Sequence, residues 1–200
     1  MNIQKTGLFS CLIAFVLLVP GTVPAHPHVF IKNSMTAVLD KDGLAGIEIR
    51  WVFDEMFSAG IIMDHDMNRN RSFENEEILT LKKGYFDALK EHSFFTRITI
   101  DARPFEVEYI KDFNAAIKDG SVVYRFFIPC HVKASSAPKQ IKVSVYDNSY
   151  YTSIQTDKDD VKALNPCGHH IEISLDKDRD ISYYFDQFHP DCMMLRLRSR

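Results

Sequence analysis

The sequence predicts a mostly-β α+β fold, a β-sandwich-like domain with a helical hairpin inserted after its second strand. Three observations point there. Segments in which apolar and polar residues alternate with period two recur along most of the chain. The alternation is interrupted over about residues 54–91, where apolar residues fall at helical spacing. Fifteen Phe and eight Tyr among 200 residues supply the bulky apolar area that a packed core needs.

Residues 1–25 are expected to lie outside that domain. Lys5 is followed by an apolar run from Gly7 to Val19, and Val23-Pro24-Ala25 offers small residues for processing. This is the pattern of a secretory signal peptide cleaved after Ala25, and the apolar run is short for a bilayer span. The expected product is a single periplasmic domain over 26–200. Cleavage removes Lys5 and no acid, so the net charge of −3 becomes −4. Cys11 is removed too, leaving Cys130, Cys167 and Cys192 in an oxidising compartment, enough for one disulfide.

The first strand pattern runs from His28 to Leu39. Asp40-Lys41-Asp42-Gly43 makes a turn, and Leu44 to Phe53 returns with Ile47, Ile49 and Trp51 on one face and Glu48 and Arg50 on the other. Asp54 suits the N-cap of a helix through Met63, whose apolar residues are Met56, Phe57, Ile61 and Ile62. A second helix is expected from about Glu74 to Glu91, with Ile78, Leu81, Tyr85, Phe86 and Leu89 as its apolar stripe. Later strands are expected at Arg97–Asp101, Phe105–Ile110, Phe113–Ile117, Val122–Pro129, Ile141–Tyr146, His169–Leu175 and Ile181–Phe185, with Met194–Leu197 as either a short last strand or a frayed end. Asp119-Gly120 signals a tight hairpin, and Ala134 to Lys139 reads as a surface loop.

Between the two helices, Asp66 to Glu77 resembles a twelve-residue EF-hand loop. Asp66, Asn68, Asn70, Glu74 and Glu77 fall at places one, three, five, nine and twelve, and Phe73 fills the apolar place eight. Place six should be glycine and is Arg71, where positive φ costs roughly 1 kcal/mol or more. Asn at places three and five removes negative charge, and Arg69 and Arg71 add positive charge. Calcium is therefore expected to bind weakly, and a metal-free connector is the favoured reading.

Composition narrows the chemistry. A pI of about 6.2 leaves no basic field for a polyphosphate, so nucleic acid is not an expected partner. The chain contains no HExxH helix, no GxSxG elbow and no phosphate-binding Gly loop, and no enzymatic activity is expected. Processing after Ala25 would instead expose His26-Pro27-His28. A terminal amine and two imidazoles then lie within three residues, donors suited to zinc, copper, nickel or cobalt. Pro27 has no N–H, which blocks the planar amide-bound copper mode and leaves imidazole ligation.

Other ligand types occur in Cys130-His131, Cys167-Gly168-His169-His170 and His189-Pro190-Asp191-Cys192, some at spacings seen in zinc sites. The expectation here is one disulfide, with Cys130 and Cys167 as the candidate pair, and surface histidines. His169 and His170 point to opposite faces if they lie on a strand, so at most one joins His26 and His28. His169 is the one placed in the candidate set. Asp147, beside Tyr150 and Tyr151, is either a further metal partner or a turn residue. Asp54 and Glu55 carry the same two readings, with capping favoured. His65 and His92 are expected to be solvated.

Three segments in order resemble one known family. They are Ala25-His26-Pro27-His28-Val29-Phe30-Ile31, Trp51-Val52-Phe53-Asp54-Glu55-Met56-Phe57-Ser58, and Tyr146-Asp147-Asn148-Ser149-Tyr150-Tyr151. They are similar to the periplasmic family catalogued as domain of unknown function 1007, to about residue 175. Members are typically encoded beside, or fused to, nickel/cobalt-type permeases, and some are described as accessory components of zinc uptake. The resemblance implies a metal-handling partner of an inner-membrane permease, with zinc first and nickel or cobalt next as cargo. It also implies membrane contact only through that partner. A structural or regulatory partner carrying no ion is the alternative. Family members commonly carry Asp where this EF-hand-like loop has Asn68 and Asn70.

Overall fold

The structure is a computed structural model that describes residues 27–200. The expectations placed on the leader, its cleavage site and His26 lie outside the described residues. Among the described residues ten strands form two five-stranded sheets, and the expected mostly-β α+β fold with a helical insertion is what they build.

The chain enters the first sheet as β1 (Val29–Leu39), turns at Asp40–Asp42, and returns as β2 (Gly43–Phe53). The predicted faces hold: Ile47, Ile49 and Trp51 are at most 1% exposed, and Glu48 and Arg50 are half-exposed. Helix α1 (Glu55–His65) follows, then the loop and α2 (Asn75–Leu81). The chain crosses to the second sheet as β3 (Thr96–Ile100) and β4 (Arg103–Phe105). It comes back to the first as β5 (Lys111–Lys118) and β6 (Ser121–Lys133), then places β7 (Lys139–Val145) in the second and β8 (Thr152–Leu164) in the first. It closes the second sheet with β9 (His170–Lys177) and β10 (Asp191–Arg198). The first sheet has the order β5-β6-β2-β1-β8 and the second β4-β3-β7-β10-β9. Their inner faces meet in a core that includes Trp51, Phe126, Ile128, Ile98, Val143 and Met193.

Local signals placed several elements. Asp119 and Gly120 both have positive φ (53° and 82°) in a two-residue turn that pairs Lys118 with Ser121, the geometry that matches strand twist. Asp54 caps α1 by accepting the Phe57 N–H at 2.9 Å. Ser58 is fully buried. Its hydroxyl donates to the Phe53 carbonyl and accepts the Val122 N–H at 2.9 Å, fastening α1 to β6.

Other expectations are corrected. The second helix does not run evenly to Glu91. After α2 the chain widens into a π-helical turn at Lys82–Phe86 and tightens into 3₁₀ turns between Asp87 and Phe95, broken by non-helical backbone at His92, Ser93 and Phe94. Phe86 is fully buried against Phe94, Phe113 and Phe126, while Tyr85, from the same apolar stripe, is 49% exposed. Packing of the aromatic core thus overrides helical periodicity. Met56 was counted among the apolar residues of α1 yet is 78% exposed, and His65, expected in solvent, is buried with its ring edge-on to Tyr85. Residues 106–110 are not in a strand, and the segment expected as strand Ile181–Phe185 is a turn with one bridge, Tyr183 to Phe188.

Strand β8 is the largest omission. It carries the charged run Asp157-Lys158-Asp159-Asp160, and no strand was expected over its length. Here it forms the edge of the first sheet and pairs in parallel with β1, with a register shift opposite Ser34. Edge strands tolerate and use charge, because it discourages pairing with other chains. Lys32 reaches Asp157 and Asp160 at 3.5 and 3.4 Å, and Ser34 Oγ donates to Asp160 at 3.1 Å.

Candidate functional site

Three segments far apart in sequence meet at the head of β1. The His28 N–H donates to the Tyr151 carbonyl at 2.9 Å. The Phe30 N–H donates to Asp54 Oδ2 at 2.9 Å, and the Asp54 N–H donates back to the Phe30 carbonyl at 3.0 Å. The imidazole of His28 lies 4.9 Å from the Tyr151 ring, centroid to centroid. These are the three segments singled out in the sequence, now joined by main-chain hydrogen bonds.

The turn that carries Tyr151 is organised by Asp147, which is 7% exposed. Its Oδ1 accepts the Ser149 N–H at 2.9 Å and the Ser149 hydroxyl at 2.7 Å, and its Oδ2 accepts the Thr152 N–H at 2.9 Å. A carboxylate that accepts three such bonds is fixed in place, and the reading of Asp147 as a turn residue accounts for all of them. Asp54 is likewise committed, to the cap and to Phe30. Tyr150 packs on Phe188, ring centroids 4.5 Å apart.

Beside this junction a cavity of about 1170 Å³ opens between the sheets and beneath the helical insertion. Trp51, Phe53, Phe57, Phe95 and Tyr124 line its inner wall. Tyr85, His92, Arg97, Glu106, Asn148 and Tyr151 line its outer part and are exposed. Trp51 sits among Phe53, Phe86, Phe95 and Phe126, nearest to Phe126 at 4.9 Å. It is 1% exposed, and its indole N–H has no acceptor among the described residues. Ser93, Phe94 and Phe95 are three successive non-glycine residues in the left-handed region (φ 52°, 52° and 56°), two of them in the cavity wall. Backbone of that kind persists only where surrounding packing imposes it. Burial also raises the Tyr124 phenol above its ordinary pKa. The cavity was not legible in the sequence. The alternation of Trp51 and Phe53 showed only that both face inward.

The expected metal set does not converge. His28 is exposed at the head of β1. His169 lies at the other end of that strand, where its Nε2 is 3.0 Å from the Asp40 carbonyl oxygen. Eleven residues of strand separate the two ends, on the order of 35 Å. His169 therefore leaves the candidate set with His28, while Asp147 remains a neighbour through Tyr151. Among the described residues no group of three His, Cys, Asp or Glu side chains could hold a metal ion.

The EF-hand-like loop takes the expected backbone course without a glycine at place six. Arg71 itself adopts φ 61°, and Arg69 adopts 59°. Asp66 accepts the N–H groups of Asn70 and Arg71 at 3.0 and 2.9 Å. Glu77 accepts the Met67 and Glu74 N–H groups at 2.8 and 3.0 Å. The side-chain amides of Asn68 and Asn70 both donate to Glu74 Oε1, at 3.0 and 2.9 Å. Amide protons thus occupy the carboxylate at place nine, and the loop holds itself closed through its own side chains.

The candidate disulfide is not formed. Cys130, Cys167 and Cys192 are all unbridged. Cys130 faces the core from β6, and Cys192 is buried on β10 beside Ser144, off the row of Met193, Leu195 and Leu197 that packs inward. Cys167 is exposed in the turn before β9, with φ 48°. Burial pushes the Cys130 thiol up to about 12 and raises that of Cys192. The three Cys/His clusters therefore remain separate local features: His131 is exposed, and His189 Nδ1 bonds to the Ile181 carbonyl.

Comparison with known proteins gives one family and two relatives. The family described as protein of unknown function (DUF1007) matches residues 11–185. An uncharacterized 15.5 kDa protein of the trpE 3′ region of Spirochaeta aurantia is 35% identical over 131 residues, 65% of this chain and 93% of that protein. An uncharacterized protein of Haemophilus influenzae is 25% identical over 141 residues, 69% of this chain and 66% of that protein.

Proposed function

This chain belongs to the DUF1007 family of proteins of unknown function, and from that premise we propose that it is an exported accessory protein that captures a divalent transition metal at its amino-terminal histidines for an inner-membrane permease. The observation that supports this reading is the junction at the head of β1. His28 stands exposed there, while hydrogen bonds to Tyr151 and Asp54 anchor the backbone on either side of its ring. An anchored strand head is a suitable platform for a short donor segment, because less ordering entropy is lost on ligation.

The donor chemistry defines the site further. Among the described residues no group of three His, Cys, Asp or Glu side chains could hold a metal ion, so the donors in this proposal are His28, the His26 imidazole and the amine that processing after Ala25 would uncover. Two imidazoles and an amine suit zinc first and nickel or cobalt next. Such a site is open, a property that favours transfer over storage. Ligation needs neutral nitrogens, so capture weakens in acid.

Metal analysis of the protein purified from its own periplasm, together with intact mass, tests the reading. About one equivalent of zinc, nickel or cobalt is expected on a chain beginning at His26, and none on a His26→Ala/His28→Ala variant. Equal metal content in both proteins overturns the site. Metal uptake that depends on the permease and survives the double substitution would favour the alternative, a permease partner carrying no ion.

A further inference from the structure

We propose that the outer face of α1 is the contact surface for a second copy of this chain, packed antiparallel across a two-fold axis. This proposal is independent of metal capture. α1 buries Ser58, Ile61 and His65. Its opposite face carries Met56, Ala59, Gly60 and Met63, at i, i+3, i+4 and i+7, and Met67 follows just past the helix end. Met56, Met63 and Met67 are 78%, 80% and 78% exposed, although methionine is among the residues most often buried. A helix that is apolar on both faces is ordinarily covered on both. Unbranched, adaptable Met side chains are also enriched where proteins meet.

Two features select the occupant. Gly60 stands mid-helix on the outer face, where glycine weakens a helix relative to alanine. A Cβ there would meet nothing within 4 Å, so no contact among the described residues requires its absence. The missing side chain leaves room for a close neighbour. In an antiparallel pairing centred between Gly60 and Met63, Met63 of each copy fills the space over Gly60 of the other, and Met56 of each lies opposite Met67 of the other. Charge follows the same order. Glu55 opens the helix, and Arg69 and Arg71 follow Met67; all three are exposed, and none forms an ion pair among the described residues. An acidic head and a basic tail oppose a parallel pair and favour an antiparallel one. Asp64 stands about 100° round the helix from Met63 and so flanks the stripe. A two-fold contact must be complementary to itself, and this face is so in shape and in charge. A lipid surface would account for the methionines but not for opposite charges at the two ends.

The 11 residues of α1 span about 16 Å, less than a standard interface, so the dimer belongs to the weak class, with a Kd between about 1 µM and 1 mM. Sedimentation equilibrium of the exported protein across that range is expected to show monomer and dimer. Met63→Glu puts a charge where the two copies meet and is expected to be monomeric, with an unchanged circular dichroism spectrum because the side chain is exposed. Glu55→Arg alone and Arg69→Glu/Arg71→Glu alone are each expected to weaken the dimer about tenfold, since both of its ends become repulsive. An equimolar mixture of these two variants restores both attractions and is expected to associate as tightly as the unaltered protein, a recovery that misfolding could not produce. Monomer throughout the range overturns the proposal, and binding of that monomer to phosphatidylcholine vesicles, lost in Met63→Glu, would assign the face to a bilayer instead. Undiminished association of Met63→Glu overturns the choice of face. A mixture no tighter than its separate variants overturns the antiparallel pairing.

Discussion

Phe30 and Asp54 hold each other by two hydrogen bonds, Phe30 N–H to Asp54 Oδ2 at 2.9 Å and Asp54 N–H to the Phe30 carbonyl at 3.0 Å. The remaining carboxylate oxygen of Asp54 caps α1. One side chain thus ends β2, starts the helical insertion and locks the head of β1.

Asp54→Ala is expected to lower stability by about 1–3 kcal/mol, the sum of a lost cap and a lost main-chain anchor. Asp54→Asn keeps an oxygen for the cap but has no second acceptor for Phe30, so it should fall between the two. Urea denaturation measures both: identical midpoints for Ala and Asn would remove the cap from the account, and an Asn variant as stable as the unaltered protein would remove the Phe30 bond.

Ser58→Ala leaves the buried Val122 N–H without its acceptor and the Phe53 carbonyl without its donor. A loss of about 1–3 kcal/mol is expected by thermal or urea unfolding, with secondary structure unchanged by circular dichroism.

The loop between the helices should ignore calcium as it stands. Millimolar Ca²⁺ is expected to leave the melting temperature unchanged, because Asn68 and Asn70 already satisfy Glu74. Restoring two carboxylates and the glycine, Asn68→Asp/Asn70→Asp/Arg71→Gly, should create a Ca²⁺-dependent rise in melting temperature. A rise in the unaltered protein would contradict the closed loop.

Thiol labelling separates the three cysteines. Under native conditions one thiol, Cys167, is expected to react quickly with a disulfide reagent at pH 8, and all three after unfolding. The raised pKa of Cys130 has a sign for stability as well. The folded state holds that proton more tightly than the unfolded chain, so its contribution is full below about pH 9 and is lost as pH rises toward about 12. Cys130→Ser should flatten that alkaline limb of the stability curve. Labelling of one thiol rather than three after unfolding without reductant would instead establish a bridge.

Much of this molecule follows from local pattern. The β1–β2 hairpin, the Asp119-Gly120 turn, the Asp54 cap and the course of the loop from Asp66 to Glu77 each depend on residues close in sequence, and each is where local chemistry puts it. The three quoted segments also identified the region of interest before any contact between them was visible.

What the sequence could not hold is whatever depends on pairing at long range. The charged run of β8 becomes a strand only because β1 supplies a parallel partner and the sheet edge leaves its charges in water. His28 and His169 seemed compatible by residue type, and the length of β1 separates them. His65 and Tyr85 exchange their expected environments because a widened helical turn carries Phe86 into the aromatic core. The cavity beside Trp51 has the same origin. Periodicity fixes which way a side chain faces, whereas the space in front of it is set by how two sheets and an insertion come together.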